Sequence, residues 1–292
     1  NNSFRGGIPY ELGHLPRLRV IDIQNNQLNG CIPTSLFQNR RVQVISLAFN
    51  ELSDEMWRGR WYVPKLRVLN LRNNSLMGII PPYVGNATKL MNFDLSGNRV
   101  SGNIPKEIGD AHINGLIPTS IGNMSGLTAI DIEENNLIGS IPSDVGKLKQ
   151  LQGLYLFNNK LQGHIPEAVC HLSNLDILSL EGNELSGLIP ECLGNLSMLQ
   201  NLYLGSNKFS SKFPLSLWKM SGLLLLDVSQ NCIEGEVPSD VGGLKAIVEL
   251  YLYNNHFSGM IPTRLGELQN LQSLDLSNNS FFGQIPLSFD NF

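Results

Sequence analysis

The chain has 292 residues, among them 47 Leu, 32 Asn, 28 Gly and 15 Pro, while charged residues are only 16%, well below the roughly 25% usual for a soluble domain. A hydrophobic share of 42% excludes a disordered chain. The longest apolar run, Leu223 to Leu226, falls far short of a membrane span of about 20 residues. The net charge of -4 offers no basic field for nucleic acid.

In chain order, residues Asn1 to Gly6 lack the apolar core of a signal peptide. A segment then begins at Leu18 and restarts every 24 residues at Val42, Leu66 and Leu90; the series resumes at Leu127 and keeps that spacing through Leu151, Leu175, Leu199, Leu223, Ile247 and Leu271. With these residues as position 1, apolar side chains recur at positions 4 and 6, as in Ile21 and Ile23 or Leu274 and Leu276. That alternation predicts a short strand. Position 9 is Asn in all eleven segments: Asn26, Asn50, Asn74, Asn98, Asn135, Asn159, Asn183, Asn207, Asn231, Asn255 and Asn279. An amide there ends the strand and is predicted to bond the backbone of its own turn and of its neighbour's. Position 11 is apolar, and positions 13, 15 and 16 usually read Gly, apolar, Pro, as in Gly163, Ile165 and Pro166. One such unit cannot bury its apolar face alone, so the units are predicted to stack into a parallel sheet over one core.

The pattern Leu-x-x-Leu-x-Leu-x-x-Asn-x-Leu-x-Gly-x-Ile-Pro resembles the plant extracellular class of leucine-rich repeat. The resemblance covers the whole chain, from the tail of one repeat (Asn2, Phe4, Gly6, Ile8, Pro9) to a last repeat that stops at Phe292. It implies a leucine-rich-repeat solenoid. Short parallel β-strands are expected on a concave face, an irregular or 3-10 convex side behind it, a second lateral surface from the Ile-Pro segments, and a right-handed superhelical twist. Residues 1–292 are expected to form a single solenoid, and the absence of Cys-containing caps predicts a fragment of a longer ectodomain.

Departures from the pattern carry information. Asp54, Met56 and Trp57 replace Gly, Ile and Pro in the second full repeat, and the tract Trp57-Arg58-Gly59-Arg60-Trp61-Tyr62 follows. It reads either as a varied convex loop or as an aromatic contact for a partner. The register then slips near residues 106–117: Pro105 and Pro118 are 13 residues apart in place of 24. Loss of a strand would leave two neighbours unpaired and open the core, so residues around Asp110 to His112 are expected not to be adjacent in the native chain. Cys170 and Cys192 lie in successive repeats. Stacked turns about 4.8 Å apart are within disulfide reach, and related plant receptors show a similar pair. A Cys170–Cys192 disulfide is therefore expected, with two small buried hydrophobes as the alternative. Cys31 and Cys232 stand in distant repeats and are expected to stay unpaired, and no Cys or His spacing suggests a metal. Asn-x-Ser/Thr sequons occur at Asn1, Asn73 and Asn278 (position 8) and at Asn86, Asn123 and Asn195 (position 21). Two exposed registers fit a secreted, glycosylated solenoid.

Catalytic motifs are absent, and the five His residues fall in unrelated registers. Binding on a curved repeat surface is the expected function. The outward strand positions are 3, 5, 7 and 8. In mid-chain they hold Asp131, Glu133, Glu134, Tyr155, Phe157, Glu181 and Tyr203, and further along Tyr251 and Tyr253. Exposed aromatics in a row supply rigid contact area, and acids beside them pair with a cationic group on a ligand. Tyr recurs at position 5, where it also reads as a family habit with the ring packed on its neighbours. Position 8 carries no sequon between Asn73 and Asn278, so the concave edge from Thr128 to Asn254 is expected to be glycan-free.

The resemblance implies the ectodomain of a plant leucine-rich-repeat receptor kinase or receptor-like protein, most like the immune subfamily that perceives microbial patterns. It implies a peptide or protein ligand on the concave face, a leucine-rich-repeat co-receptor kinase as partner, and a place on the extracellular side of the plasma membrane. No cofactor is implied apart from N-linked glycans, and no contact with nucleic acid or with the membrane by this region. The alternative is a secreted inhibitor of a microbial cell-wall-degrading enzyme, disfavoured by the repeat number and missing caps. A purely structural scaffold is a third reading.

Overall fold

The computed structural model describes residues 2–55, 60–101 and 117–291. Eleven strands of three residues each, from Val20–Asp22 to Ser273–Asp275, form one parallel sheet in chain order. The middle residue of each strand is the position-4 side chain, and Ile45, Leu69, Leu154 and Leu226 are fully or almost fully buried there. Residues on either side of it face the concave solvent, as the period of two requires.

The ladder asparagines hold the repeats together as predicted. Asn159 Nδ2 donates to the carbonyls of Leu156 (3.1 Å) and Phe157 (3.2 Å) in its own turn and of Ile132 (3.0 Å) in the preceding repeat. Its Oδ1 accepts from the Leu137 N–H at 3.0 Å. One side chain thus bonds four backbone groups at the end of a strand. Just before it, position 8 takes the left-handed conformation, as at Glu134 (φ 51) and Asn158 (φ 51), which turns the chain out of the sheet.

Two more layers complete each repeat. A second parallel sheet follows the asparagines on one flank, in two parts: five strands from Arg5–Gly6 to Arg99–Val100, and seven from Ile138–Gly139 to Ser280–Phe282. On the convex side the Pro at position 16 leads into a 3-10 segment, as Pro166 does into Glu167–His171. A Cβ at Gly146 would collide with the Ala168 carbonyl, so the turns stack without a side chain between them. The disulfide is present: Cys170 and Cys192 are joined with their Cα atoms 5.7 Å apart. Cys31 and Cys232 are exposed and free.

On either side of the register break the concave strands pair with each other. Strand Asn92–Asp94 pairs directly with Ala129–Asp131, in the register Asn92↔Ala129, Phe93↔Ile130 and Asp94↔Asp131. Among the described residues neither concave strand at the slip is left without a neighbour. The ladder crosses it too: Asn135 Nδ2 donates to Leu95 O at 3.0 Å, and its Oδ1 accepts from Val100 N at 2.9 Å. The convex turns join through Ser120 Oγ, which donates to Pro82 O at 2.6 Å. Among the described residues the two parts of the lateral layer are linked by the bridge Ser101↔Asn136. The expected discontinuity at Asp110–His112 lies outside the described residues.

Part of the aromatic tract also reads differently. Trp61 is 2% exposed and stacks on Phe37 with centroids 4.4 Å apart. It is core, not a contact for a partner. Tyr62 is exposed, with the Arg40 guanidinium 4.6 Å from its ring centroid. Trp57 to Gly59 lie outside the described residues.

Candidate ligand-binding face

The sheet places equivalent residues of successive repeats side by side. Position 5 forms one cross-strand row, Asp94, Asp131, Tyr155, Ser179, Tyr203, Asp227, Tyr251 and Asp275, in register from strand to strand. The predicted residues therefore do share one face. Their postures differ from the expectation of upright, exposed aromatics. Tyr155, Phe157, Tyr203, Tyr251 and Tyr253 are all half-buried. The Tyr155 ring lies over Gly153 of its own repeat, so that a Cβ there would meet Cε2 at 2.5 Å. Tyr251 leans the same way, and its hydroxyl donates to Glu249 Oε2 at 2.9 Å. Tyr155 and Tyr251 thus pack down on position 3, the family-habit alternative. Tyr253, at position 7, accepts from Gln230 Nε2 at 3.2 Å through its hydroxyl.

The acids fall into two groups. Glu133 is 7% exposed and Asp131 is half-buried, while Glu134 is exposed. Arg72, two strands away, reaches across the small Ser96 to Asp131 Oδ2 (3.5 Å) and Glu133 Oε1 (3.6 Å). One guanidinium does not offset the crowding. Burial, then the Asp94 charge, pushes the Asp131 carboxyl up to about 6 against the pull of Arg72. Burial, then Asp131, pushes Glu133 up to about 7. In the second group Glu181 Oε2 accepts from Ser179 Oγ at 3.0 Å. Burial, with Asp227 close by, raises its pKa. Burial and then Glu181 raise the hydroxyl of Tyr203 in the same way.

Sequence reasoning missed four members of this face: Arg72, Asp94, Asp227 and Glu249. The signal was available in the row charges. Positions 3, 5, 7 and 8 of the eleven repeats hold nine acids (Asp22, Asp94, Asp131, Glu133, Glu134, Glu181, Asp227, Glu249 and Asp275) and one base, Arg72. A chain with a net charge of only -4 concentrates its negative charge on one concave surface. The floor between Phe157 and Tyr253 is low, with Gly182, Gly205 and Ser229 in rows 7 and 8. Among the described residues no group of His, Cys, Asp and Glu is placed to hold a metal.

The sequons differ in accessibility. Asn86, Asn123 and Asn195 are exposed and each closes a convex 3-10 segment. Asn278 is exposed on the concave edge and donates through Nδ2 to Asn254 Oδ1 at 2.5 Å. Asn73 is half-buried, with its amide against Gly97, where a Cβ would collide with it. Asn1 lies outside the described residues.

Comparisons place the chain among known proteins. The leucine-rich-repeat family models match residues 162–209 and, repeat by repeat, 17–39, 65–87, 89–111, 150–172, 246–268 and 270–292. A comparison with curated proteins by sequence gives no match. Among solved structures, the chain is similar to PEPR1 in its complex with AtPEP1, at 36% identity and a TM-score of 0.88, covering 99% of this chain and 39% of that one. It is also similar to the ectodomain of the membrane receptor kinase GASSHO1/SCHENGEN3 from Arabidopsis thaliana, in complex with CASPARIAN STRIP INTEGRITY FACTOR 2, at 34% identity and a TM-score of 0.78, covering 99% of this chain and 36% of that one. For the Arabidopsis receptor kinase HAESA with an IDA peptide hormone the values are 34%, 0.78, 100% and 51%. The chain thus spans between about a third and about half of those ectodomains. It belongs to the leucine-rich-repeat family, and its fold is that of a plant leucine-rich-repeat receptor ectodomain.

Proposed function

We propose that the chain is the extracellular ligand-binding part of a plant receptor and takes a peptide or protein segment carrying cationic side chains along its concave face. The observation that carries this reading is the nine acids against one base on the strand rows. Half-buried carboxylates in a surface of reduced dielectric bind a guanidinium or ammonium more strongly than exposed ones do, and the field of the whole row steers such a ligand inward. Phe157 and Tyr253 bound the low floor and supply apolar contact on either side of Glu181. Glycans at Asn86, Asn123 and Asn195 occupy the convex side and leave the face open from Thr128 to Asn254. The solved complexes of similar ectodomains hold peptides, and one, HAESA with IDA, also holds the co-receptor SERK1. By that likeness the bound ligand recruits a leucine-rich-repeat co-receptor kinase at the extracellular side of the plasma membrane. Among the described residues no helix is long and apolar enough to cross a membrane.

The test is selection of a random peptide library on the folded chain. Enriched peptides are expected to carry an excess of Arg and Lys, and to lose binding by about tenfold on Phe157→Ala or Glu181→Lys. Enriched peptides with no cationic excess would remove this reading.

A further inference from the structure

The two groups of acids on the concave face differ in what neutralises them. Asp131 and Glu133 have Arg72 beside them. Glu181 and Asp227 have no ion-pair partner among the described residues. No Lys or Arg stands at position 3, 5, 7 or 8 of the four repeats that start at Leu175, Leu199, Leu223 and Ile247. The exposed bases Arg17, Arg41, Lys65 and Lys89 stand at position 24, on the rim that leads into the strands, and all four precede the register break.

Between Glu181 and Asp227 the face has a slot, and Gly205 at position 7 is its floor. Gly182 N donates to Gly205 O at 3.0 Å on one side, and Ser206 N donates to Ser229 O at 2.9 Å on the other. The walls are therefore the two neighbouring repeats, with Glu181 on one and Ser229 on the other. From backbone to backbone they stand two strand spacings apart, roughly 9–10 Å. The backbone at Gly205 is not left-handed, and position 7 holds Phe157 and Tyr253 in other repeats, so the fold does not demand glycine there. A Cβ on Gly205 would meet Asp227 Oδ1 at 3.0 Å, Ser229 Oγ at 3.1 Å and Asp227 Oδ2 at 3.2 Å. Those three oxygens face the slot.

The same Asp-x-Ser turn occurs at Asp94-Leu95-Ser96. There Ser96 N and Ser96 Oγ both donate to Asp94 Oδ1, at 3.0 and 2.7 Å. At Asp227 the backbone bond is kept, with Ser229 N donating to Oδ1 at 2.8 Å. The hydroxyl bond is not: Ser229 is 2% exposed, and its Oγ has no hydrogen bond among the described residues. A buried hydroxyl without a partner costs free energy, and this one is aimed over Gly205 beside the unbonded Oδ2 of Asp227.

We infer that the slot over Gly205 is the subsite for one arginine side chain of the ligand, held by Asp227 and Ser229 on one wall and Glu181 on the other. The subsite depends on the reading of the concave face as a binder of cationic peptides, and adds which cation the middle of the face selects. Acceptors on two walls suit a planar guanidinium, whose five N–H donors point outward in a fixed fork. A lysine ammonium is a compact point charge with three donors and satisfies one wall at a time. Tyr203 stands at the end of the slot, near enough to Glu181 and Asp227 for both charges to act on its hydroxyl.

The experiment measures binding of hexa-arginine and of hexa-lysine to the whole chain by calorimetry. Hexa-arginine is expected to bind about tenfold more tightly than hexa-lysine. Gly205→Leu fills the slot, and Asp227→Asn removes the charge while keeping the shape. Each is expected to weaken hexa-arginine about tenfold and hexa-lysine about twofold or less, so that the preference collapses. Ser229→Ala is expected to reduce the preference by about threefold. Asp275→Asn takes the same charge from the same row and is expected to weaken both oligomers alike, leaving the preference in place. If Gly205→Leu does not fold, Asp227→Asn decides. Equal affinity of the parent chain for the two oligomers, or a preference unchanged by Gly205→Leu and Asp227→Asn, overturns the subsite and leaves the cationic-peptide reading standing. Binding of neither oligomer removes that reading and the subsite with it.

Discussion

Before the register break, four repeats put their charge on the rim, as the cations Arg17, Arg41, Lys65 and Lys89. After it, seven repeats leave the rim at position 24 neutral and put charge on the concave rows, where seven of the nine acids stand. The ladder and the core are alike on both sides: Asn74 and Asn159 make the same set of bonds to three carbonyls. A repeat protein therefore separates two alphabets. Positions 1, 4, 6, 9 and 11 build the stack and vary little. Positions 2, 3, 5, 7, 8 and 24 lie outside the core, where they contact one another and solvent, and they are free to differ from end to end.

The junction between the two halves is the first place to test that picture. Asn135→Ala removes the amide that spans it and orphans buried groups on Leu95 and Val100. It is expected to cost about 3–4 kcal/mol, the same as Asn183→Ala within the C-terminal half. A much smaller loss at Asn135 in denaturant unfolding would mean that the halves do not stack as one sheet. Replacing Cys170 and Cys192 by Ala opens a loop with a sequence separation of 22 and is expected to cost about 3 kcal/mol. That loss should appear as melting of the C-terminal half ahead of the N-terminal one, read by hydrogen exchange.

The acids beside the junction give the next effect. Asp131 and Glu133 have folded pKa values of about 6 and about 7, above their ordinary 3.8 and 4.5. Between those limits the folded chain holds more protons than the unfolded one, so stability rises as pH falls through this window. The gain is expected to be roughly 1–3 kcal/mol from about pH 7 to about pH 5. In Glu133→Gln the slope of melting temperature against pH should flatten, and an unchanged slope would show that other groups carry it. The smallest effect is at position 8. Gly182 (φ 65) packs on the Asn158 amide, and a Cβ there would collide with it. Gly182→Ala is expected to cost about 1 kcal/mol and to raise the low floor between Phe157 and Tyr253, with weaker capture of cationic peptides as the readout.

What was legible in the sequence was what repeats. Leu154 and Asn159 sit in a pattern read eleven times, and each copy fixes its neighbours. The disulfide was expected from the reach between successive repeats together with the resemblance to related plant receptors, and it closes a separation of 22 residues. The site was legible only as a set of rows. That the buried Glu133 is paired depends on Arg72, which reaches it from two strands away. That Tyr155 lies flat depends on Gly153 leaving room beneath the ring. A convex aromatic, Trp61, looked like surface because its partner, Phe37, is one repeat away.

By itself the sequence determined the repeat length, the strand positions, the asparagine ladder and which residues share a face. It could do so because a solenoid turns sequence spacing directly into spatial spacing. Only the tertiary structure decided which strands meet across the register break near 106–117. Pairing Asn92–Asp94 with Ala129–Asp131 joins strands that no fixed spacing relates. It also brings Asp94, Asp131, Glu133 and Arg72 together, and their burial and mutual charge, which follow from packing across strands, set the electrostatics of the concave face.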